Sequence, residues 1–223
     1  MDHALLRRIV ARYPTASAWD RFHLRQRLQR CPYESLLPFI PQQGRLLDIG
    51  CGFAHFGCFL RETRPGLDYW GADIDTRKIG LAQATSLRVF AGDVRAWPGL
   101  PRHFIAVTML DVLYLLPDAL QKELFDFACG RLERSAEAVL VLKVLPPLKG
   151  WWRWQTLLQE SAMVRLGKTR DSGALHCSQD PSTYMRWATE HGLQSKEVNV
   201  ATTPPSRVLV FTIEGAAGNM TSQ

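Results

Sequence analysis

The chain has 223 residues, of which 46% are hydrophobic and 22% are charged, a composition typical of a globular protein that buries its core without disulfides. The balance of 27 basic and 21 acidic side chains gives a net charge of +6, which suits an anionic partner but requires none. The longest apolar stretch, 104–116, is too short to span a bilayer, and the N-terminus lacks the apolar core of a signal peptide. We therefore expect neither a membrane-spanning nor a secreted, fibrous or disordered protein.

The cysteines and histidines indicate neither a disulfide framework nor a metal site. The five cysteines are odd in number and form no C-x-x-C pair, so we expect reduced thiols and a cytoplasmic location. The six histidines show neither H-E-x-x-H nor zinc-finger spacing, so no metal is expected.

The first 43 residues predict basic helices. Apolar residues between Leu5 and Tyr13 recur on one helical face, and a second helical pattern runs over 18–30 and ends before Pro32. We expect 1–43 to form a helical cap on a single domain that comprises the whole chain.

From Arg45 the pattern alternates between short apolar runs and helical segments. The predicted strands are 45–49, 69–72, 87–91, 104–110 and 138–145, and the predicted helices between them are 56–62, 76–84 and 117–132. Strands that are apolar on both faces and alternate with helices indicate a parallel sheet covered on both sides. We therefore assign 44–145 to a ligand-binding core.

The regular pattern stops at residue 146. The segment 146–180 contains Trp151, Trp152 and Trp154 among basic residues, and is interpreted as an insert that forms a substrate lid, part of the core or a membrane-surface contact. A helix is predicted over 181–191 with Asp180 as its N-cap. Strands over 195–200 and 207–213 are expected to pair antiparallel, which completes a unit at 181–214 before a flexible tail at 215–223.

A glycine turn follows the first predicted strand, in the segment Asp48-Ile49-Gly50-Cys51-Gly52. In a doubly wound sheet, a nucleotide-like ligand approaches the backbone at such a turn, although a tight turn without a ligand explains two glycines equally well. His55 stands where G-x-G-x-x-G requires its third glycine, which disfavours NAD or FAD.

Three further loops at the same predicted sheet edge carry aspartates. Asp73 lies 21 residues after Gly52, which is the spacing of a carboxylate that binds ribose hydroxyls, whereas Asp75 is better placed to cap the next helix. Asp93 follows the third strand and Asp111 follows the fourth. Four such loops at one edge favour a bound ligand over coincidence.

These segments resemble the ordered motifs of class I S-adenosylmethionine-dependent methyltransferases. The matching segments are Asp48-Ile49-Gly50-Cys51-Gly52, Gly71-Ala72-Asp73-Ile74-Asp75, Gly92-Asp93-Val94 and Asp111-Val112-Leu113-Tyr114-Leu115-Leu116. The resemblance implies an α/β fold with a Rossmann-like, doubly wound seven-stranded sheet of order 3-2-1-4-5-7-6, in which the last strand is antiparallel. Ala54 stands where the family often has a third glycine, and alanine is small enough to keep the turn.

The resemblance also implies S-adenosyl-L-methionine as cofactor, S-adenosyl-L-homocysteine as product, and a set of binding residues. Asp48, Gly50, Gly52 and Ala54 would shape the pocket for the methionine part, and Asp73 would bind the ribose. The residues expected beside the adenine and the sulfonium are Ile74, Asp93, Val94, Leu110 and Asp111.

A general base is needed if the methyl acceptor is a phenol, an alcohol or an activated carbon. The catalytic candidates are Asp111, Tyr114 and His176, and further side chains that could take a proton are His55, Glu160 and Tyr184. For each of these residues taken alone, a structural role explains the side chain at least as well.

The acceptor class is narrowed by the residues after the fourth strand. Methyltransferases that modify amino groups of nucleic acids commonly carry Pro-Pro-Tyr/Phe there, where this chain reads Met109-Leu110-Asp111-Val112, so DNA is not expected as a partner. Patterns around Cys31-Pro32 and Gln159-Glu160 resemble methyltransferases encoded with bacterial lipid-like and aryl-polyene biosynthetic genes.

That narrower resemblance implies an aromatic or polyene acceptor, either a small molecule or a group tethered to an acidic acyl carrier protein. A membrane-surface contact of the tryptophan insert would put the enzyme at the inner membrane surface. An RNA methyltransferase, an NAD(P)-dependent oxidoreductase and a non-catalytic binding module stay open as alternatives.

Overall fold

The structure, a computed structural model, describes residues 1–145, 179–198, 200 and 206–213. The predicted lid insert with Trp151, Trp152, Trp154 and His176 lies outside the described residues, apart from 179–180, as does the predicted tail at 215–223.

Three helices precede the sheet: α1 (His3–Ala11), α2 (Ala18–Arg30) and α3 (Tyr33–Leu36). Helix α2 begins with a capping box, in which the Ser17 hydroxyl accepts from the backbone N–H of Asp20 and the Asp20 carboxylate accepts from that of Ser17. The two predicted helices are confirmed, whereas α3 was not predicted because one turn is too short to show a hydrophobic period.

Seven strands form one sheet: β1 (Gln43–Ile49), β2 (Gly66–Asp73), β3 (Arg88–Ala91), β4 (Ala106–Leu110), β5 (Val139–Val144), β6 (Leu193–Val198) and β7 (Arg207–Ile213). Their spatial order is β3-β2-β1-β4-β5-β7-β6. All neighbouring pairs are parallel except β5 with β7 and β6 with β7. The expected Rossmann-like sheet, with its antiparallel last strand, is therefore confirmed.

Four further helices follow in the described parts of the chain: α4 (His55–Thr63), α5 (Thr76–Ala82), α6 (Asp118–Arg131) and α7 (Pro181–Glu190). Asp180 caps α7 as predicted, because its carboxylate accepts from the backbone N–H of Ser182. Every residue of β5 is buried, as expected for a central strand between two helical layers.

Several strand boundaries differ from those predicted, since β1 begins at Gln43 rather than at 45 and β2 at Gly66 rather than at 69. β4 begins at Ala106 rather than at 104, because Phe104 forms an isolated bridge with Leu132 instead of joining the ladder. β6 begins at Leu193, which pairs with Ile213 directly after the turn at Gly192 (φ 69°). Among the described residues, no helix has both the length and the apolar character that crossing a membrane requires.

The strand order places a ligand-binding crevice beside β1. This strand has β2 on one side and β4 on the other, so the order of the strands reverses here. In open α/β sheets, a crevice forms at the carboxyl ends of the strands at such a reversal. The glycine turn, Asp73 at the end of β2, and the aspartates that follow β3 and β4 all lie at this same edge of the sheet.

Candidate functional site

The glycine turn is anchored to β2. The backbone N–H groups of Gly50 and Cys51 both donate to the carbonyl of Ala72, at 2.7 and 3.0 Å. Gly50 and Gly52 have φ values of 74° and 57°, a region that glycine enters without steric cost. Ala54 adopts φ 55° at the start of α4, so alanine keeps the left-handed conformation where the family often has glycine.

The two glycines of the turn have different surroundings. A Cβ on Gly50 would overlap the side chain of Val112, whereas a Cβ on Gly52 would have Lys78 Cδ at 3.9 Å and Asp73 Oδ2 at 4.0 Å as its nearest atoms. Gly50 is therefore needed for packing within the protein. At Gly52 only these two side-chain atoms of the described residues lie within 4 Å, so the protein leaves room beside the backbone there.

Asp48 lies beneath the turn and joins three strands. Its carboxylate accepts hydrogen bonds from Tyr69 Oη and Thr108 Oγ1, each at 2.7 Å. Burial raises the pKa of Asp48 to about 6, although both hydrogen bonds favour the ionised form. Since both oxygens are engaged inside the sheet, Asp48 acts on the predicted methionine pocket by holding the turn rather than by facing the ligand.

Asp73 connects the end of β2 to the glycine turn. One carboxylate oxygen accepts from the backbone N–H of Gly52 and the other from that of Asp75, both at 2.8 Å. Asp75 caps α5 as predicted by accepting from the N–H groups of Arg77 and Lys78. The neighbouring Ile74 side chain is 58% exposed, so an apolar surface lies free beside the predicted ribose-binding carboxylate.

Asp93 and Val94 follow β3, and the structure gives them separate surroundings. Val94 is buried, whereas the exposed Asp93 carboxylate forms an ion pair with Arg95 at 2.6 Å. Hydrogen bonds from Arg95 hold the pKa of Asp93 below its usual value. The predicted contact of Asp93 with an adenine amino group stays a prediction, and such a group has to compete with Arg95.

Asp111 lies at the end of β4 in the left-handed conformation, with φ 63°. Lys143 Nζ is 2.5 Å from its Oδ1, and Arg27 Nη2 is 3.2 Å from its Oδ2. Burial alone would raise the pKa of Asp111, but Lys143 and Arg27 hold it below its usual value. A carboxylate whose ionised form is stabilised by two cations is a poor proton acceptor, so this geometry disfavours Asp111 as a general base.

The other base candidates differ in position. Tyr114 is half-buried in the turn after Asp111, close enough to Arg27 to interact with it electrostatically. Tyr184 Oη lies 2.7 Å from Gln121 Oε1 between α6 and α7, which is a structural contact away from the crevice. His176 and Glu160 lie outside the described residues.

His55 begins α4 directly after the glycine turn. It is 7% exposed, and its ring lies 5.8 Å from that of Tyr33. Neither ring nitrogen has a hydrogen-bond partner among the described residues. Burial, followed by the positive charge of Arg27, lowers the pKa of His55 to about 3, so the ring is neutral at physiological pH.

Arg27 and Lys143 were not predicted as site residues. The signal for Lys143 was a single cation within the apolar run of β5, which requires a buried partner. Arg27 gave no comparable signal, because α2 carries several basic residues. In the β4–β5 ladder Lys143 pairs with Leu110, which shows how β5 brings this lysine beside the predicted sulfonium end.

Comparison with known proteins places the chain in a family. A family profile described as "Methyltransferase domain" matches residues 20–198. No curated protein matches the chain.

Several solved structures are similar. Magnesium protoporphyrin IX methyltransferase from Synechocystis PCC 6803, solved with bound S-adenosylhomocysteine, is 19% identical with a TM-score of 0.63 over 95% of this chain and 94% of that one. A TehB-like S-adenosylmethionine-dependent methyltransferase from Corynebacterium glutamicum is 17% identical, with a TM-score of 0.55 over 82% and 86% of the two chains. An O-methyltransferase family protein from Burkholderia thailandensis is 13% identical, with a TM-score of 0.59 over 87% and 59%. The chain therefore belongs to the methyltransferase domain family, with the fold and the cofactor of the class I S-adenosylmethionine-dependent methyltransferases.

Proposed function

We propose that this protein transfers a methyl group from S-adenosylmethionine to a small organic acceptor, at an oxygen or an activated carbon. The observation that carries the proposal is the contact between Arg27 on α2 and Asp111 at the end of β4. This contact brings α2 beside the end of β4, and it supports a position of this helix next to the predicted sulfonium. An acceptor must then fit between this helix and the sheet edge, which favours a small molecule over a nucleic acid.

The residues at the crevice fit the cofactor. The room beside Gly52 would admit a ligand against the backbone, and the exposed Ile74 would offer an apolar surface to a base. Asp73, whose oxygens accept from the N–H groups of Gly52 and Asp75, would accept further hydrogen bonds from the ribose hydroxyls. When bound, S-adenosylmethionine supplies a methyl group on a positively charged sulfonium. The chain's own contribution is to position the two reactants and to exclude water from the reacting atoms.

A carrier-linked acceptor is the second form of this proposal. The net charge of +6 favours association with an acidic acyl carrier protein, and the resemblance to methyltransferases of aryl-polyene gene clusters supports an aromatic or polyene group. The aryl-polyene biosynthetic context stays a proposal, as do the assignments of Tyr114 and His176 as catalytic residues.

The test is turnover with a methyl-labelled donor. The protein is incubated with a dialysable metabolite extract, with total RNA, and with an acyl carrier protein fraction, each in separate reactions. We expect label in the dialysable or the carrier-linked fraction. Label in RNA alone would replace the proposal by the RNA alternative, and Asp73→Ala, compared with Asp75→Ala, shows whether the activity depends on the predicted cofactor site.

A further inference from the structure

Among the residues that the structure describes, the charges clustered at the end of β4 do not balance. Arg27 and Lys143 flank a single carboxylate, that of Asp111. Lys143 is only 9% exposed, and within the described part of the chain neither cation has a second acidic partner. A group of charges removed from water is stabilised when its net charge is neutralised, so this cluster is suited to a further anion.

Within the described residues, the Arg27 guanidinium has unused hydrogen-bonding capacity. Although its Nη2 is 3.2 Å from Asp111 Oδ2, that oxygen accepts no hydrogen bond from a described residue, so the N–H groups are not directed at it. A guanidinium carries five N–H donors in one plane, and the Arg27 side chain is 38% exposed. The side chain is therefore partly open to solvent.

His55 adds an unsatisfied imidazole beside this cluster. Helix α4, which begins with His55, packs against helix α2, which carries Arg27, and neither imidazole nitrogen is bonded within the described residues. A neutral imidazole has one N–H donor. Leaving such a group buried without a partner is unfavourable, and a bound ligand would remove that cost.

We propose that Arg27 and His55, with the charge of Lys143, bind a carboxylate of the methyl acceptor. Arg27 would donate to the carboxylate through its planar guanidinium, and the His55 N–H would donate a further hydrogen bond. Lys143 would pair with Asp111, so that the positive charge of Arg27 stays uncompensated. The inference rests on the proposed function, because it assigns the site to the acceptor. It adds the class of the substrate, an organic acid, and the residues that select it.

The test uses benzoate as a probe and benzamide as its uncharged counterpart. Each is titrated into protein saturated with S-adenosylhomocysteine, and binding is measured by calorimetry. We expect benzoate to bind roughly tenfold more tightly than benzamide, the effect of one charge-assisted hydrogen bond. Arg27→Gln should abolish this preference, whereas Arg25→Gln, which removes an exposed arginine of the same helix, should retain it.

Three results would overturn the inference. These are equal binding of the two probes, no binding of either, and a benzoate preference that survives Arg27→Gln. His55→Phe provides a second variant: it should weaken benzoate more than benzamide while leaving S-adenosylhomocysteine affinity within about twofold, since a contact acts on the ligand it touches.

A further arm separates the acceptor carboxylate from the carboxylate of the cofactor's methionine part. If Arg27→Gln weakens S-adenosylhomocysteine but not 5′-methylthioadenosine, which lacks that carboxylate, the site belongs to the cofactor and the inference is wrong. Failure of the proposed function has a different readout, namely the absence of labelled methyl transfer to any dialysable or carrier-linked acceptor, whatever the benzoate titration gives.

Discussion

The two glycines of the turn should respond differently to the same substitution. Gly50→Ala places a methyl group on Val112 and forces a non-glycine residue to φ 74°. The left-handed conformation costs about 1–2 kcal/mol and the overlap about 1–3 kcal/mol, so unfolding free energy should fall by about 2–5 kcal/mol. Gly52→Ala meets no protein atom closer than 3.9 Å, and should cost only the conformational part, about 1–2 kcal/mol.

Binding of S-adenosylhomocysteine should distinguish the two glycines further. Since Gly52 borders the open crevice, Gly52→Ala should weaken S-adenosylhomocysteine by at least about tenfold, or 1.4 kcal/mol, in protein that remains folded. Denaturant unfolding measures the stabilities, and calorimetry measures the affinities.

The overlap at Gly50 can be tested separately. Val112→Ala, added to Gly50→Ala, should recover part of the loss because it removes the two methyl groups that the new Cβ meets. Equal destabilisation by Gly50→Ala and Gly52→Ala would refute the reasoning about packing. Unchanged cofactor affinity in Gly52→Ala would refute the assignment of the open space to the cofactor.

Three further outcomes are expected. Asp73→Ala should weaken S-adenosylhomocysteine about ten- to a hundredfold, the worth of a hydrogen bond to a charged group, while Asp75→Ala should cost about 1 kcal/mol of stability as a lost helix cap and leave calorimetric affinity unchanged. Because the pKa of Asp48 is raised to about 6 in the folded protein, its contribution to stability should be lost as pH rises from about 4 through 6; Asp48→Asn should remove this slope from urea unfolding curves, and an unaltered slope would contradict it. The pKa of His55 is lowered to about 3, so folding should lose stability as pH falls below about 6.5, where the unfolded chain takes up the proton; His55→Leu should flatten that loss, and an equal acid sensitivity in both proteins would argue against a neutral buried ring.

Much of the core could be predicted from the chain's local properties. Short apolar runs between helical patterns predicted the strands, because a central parallel strand is buried on both faces. The glycine turn and Asp73 were predicted from spacing, since the carboxyl ends of parallel strands meet at one edge. The strand order came from the resemblance to a family, and the structure confirms it.

The partners of these side chains could not be predicted in the same way. Asp48 was expected at the methionine pocket, and only the packed sheet shows that Tyr69 and Thr108, on the two adjacent strands, occupy its oxygens. The physical reason is that hydrogen-bond partners in neighbouring strands depend on register, and register is a property of the whole sheet.

By itself, the sequence determined the alternating α/β pattern, the glycine turn and the acidic residues at the strand ends, because each depends on a few consecutive residues. Only the tertiary structure decided which charges meet: Arg27 from an N-terminal helix, Asp111 from the end of β4 and Lys143 from within β5. Distances between such side chains are set by how helices pack on the sheet, and the energy of a buried charge depends on those distances. The same packing leaves His55 buried and unpaired within the described residues, which no local pattern in the chain reveals.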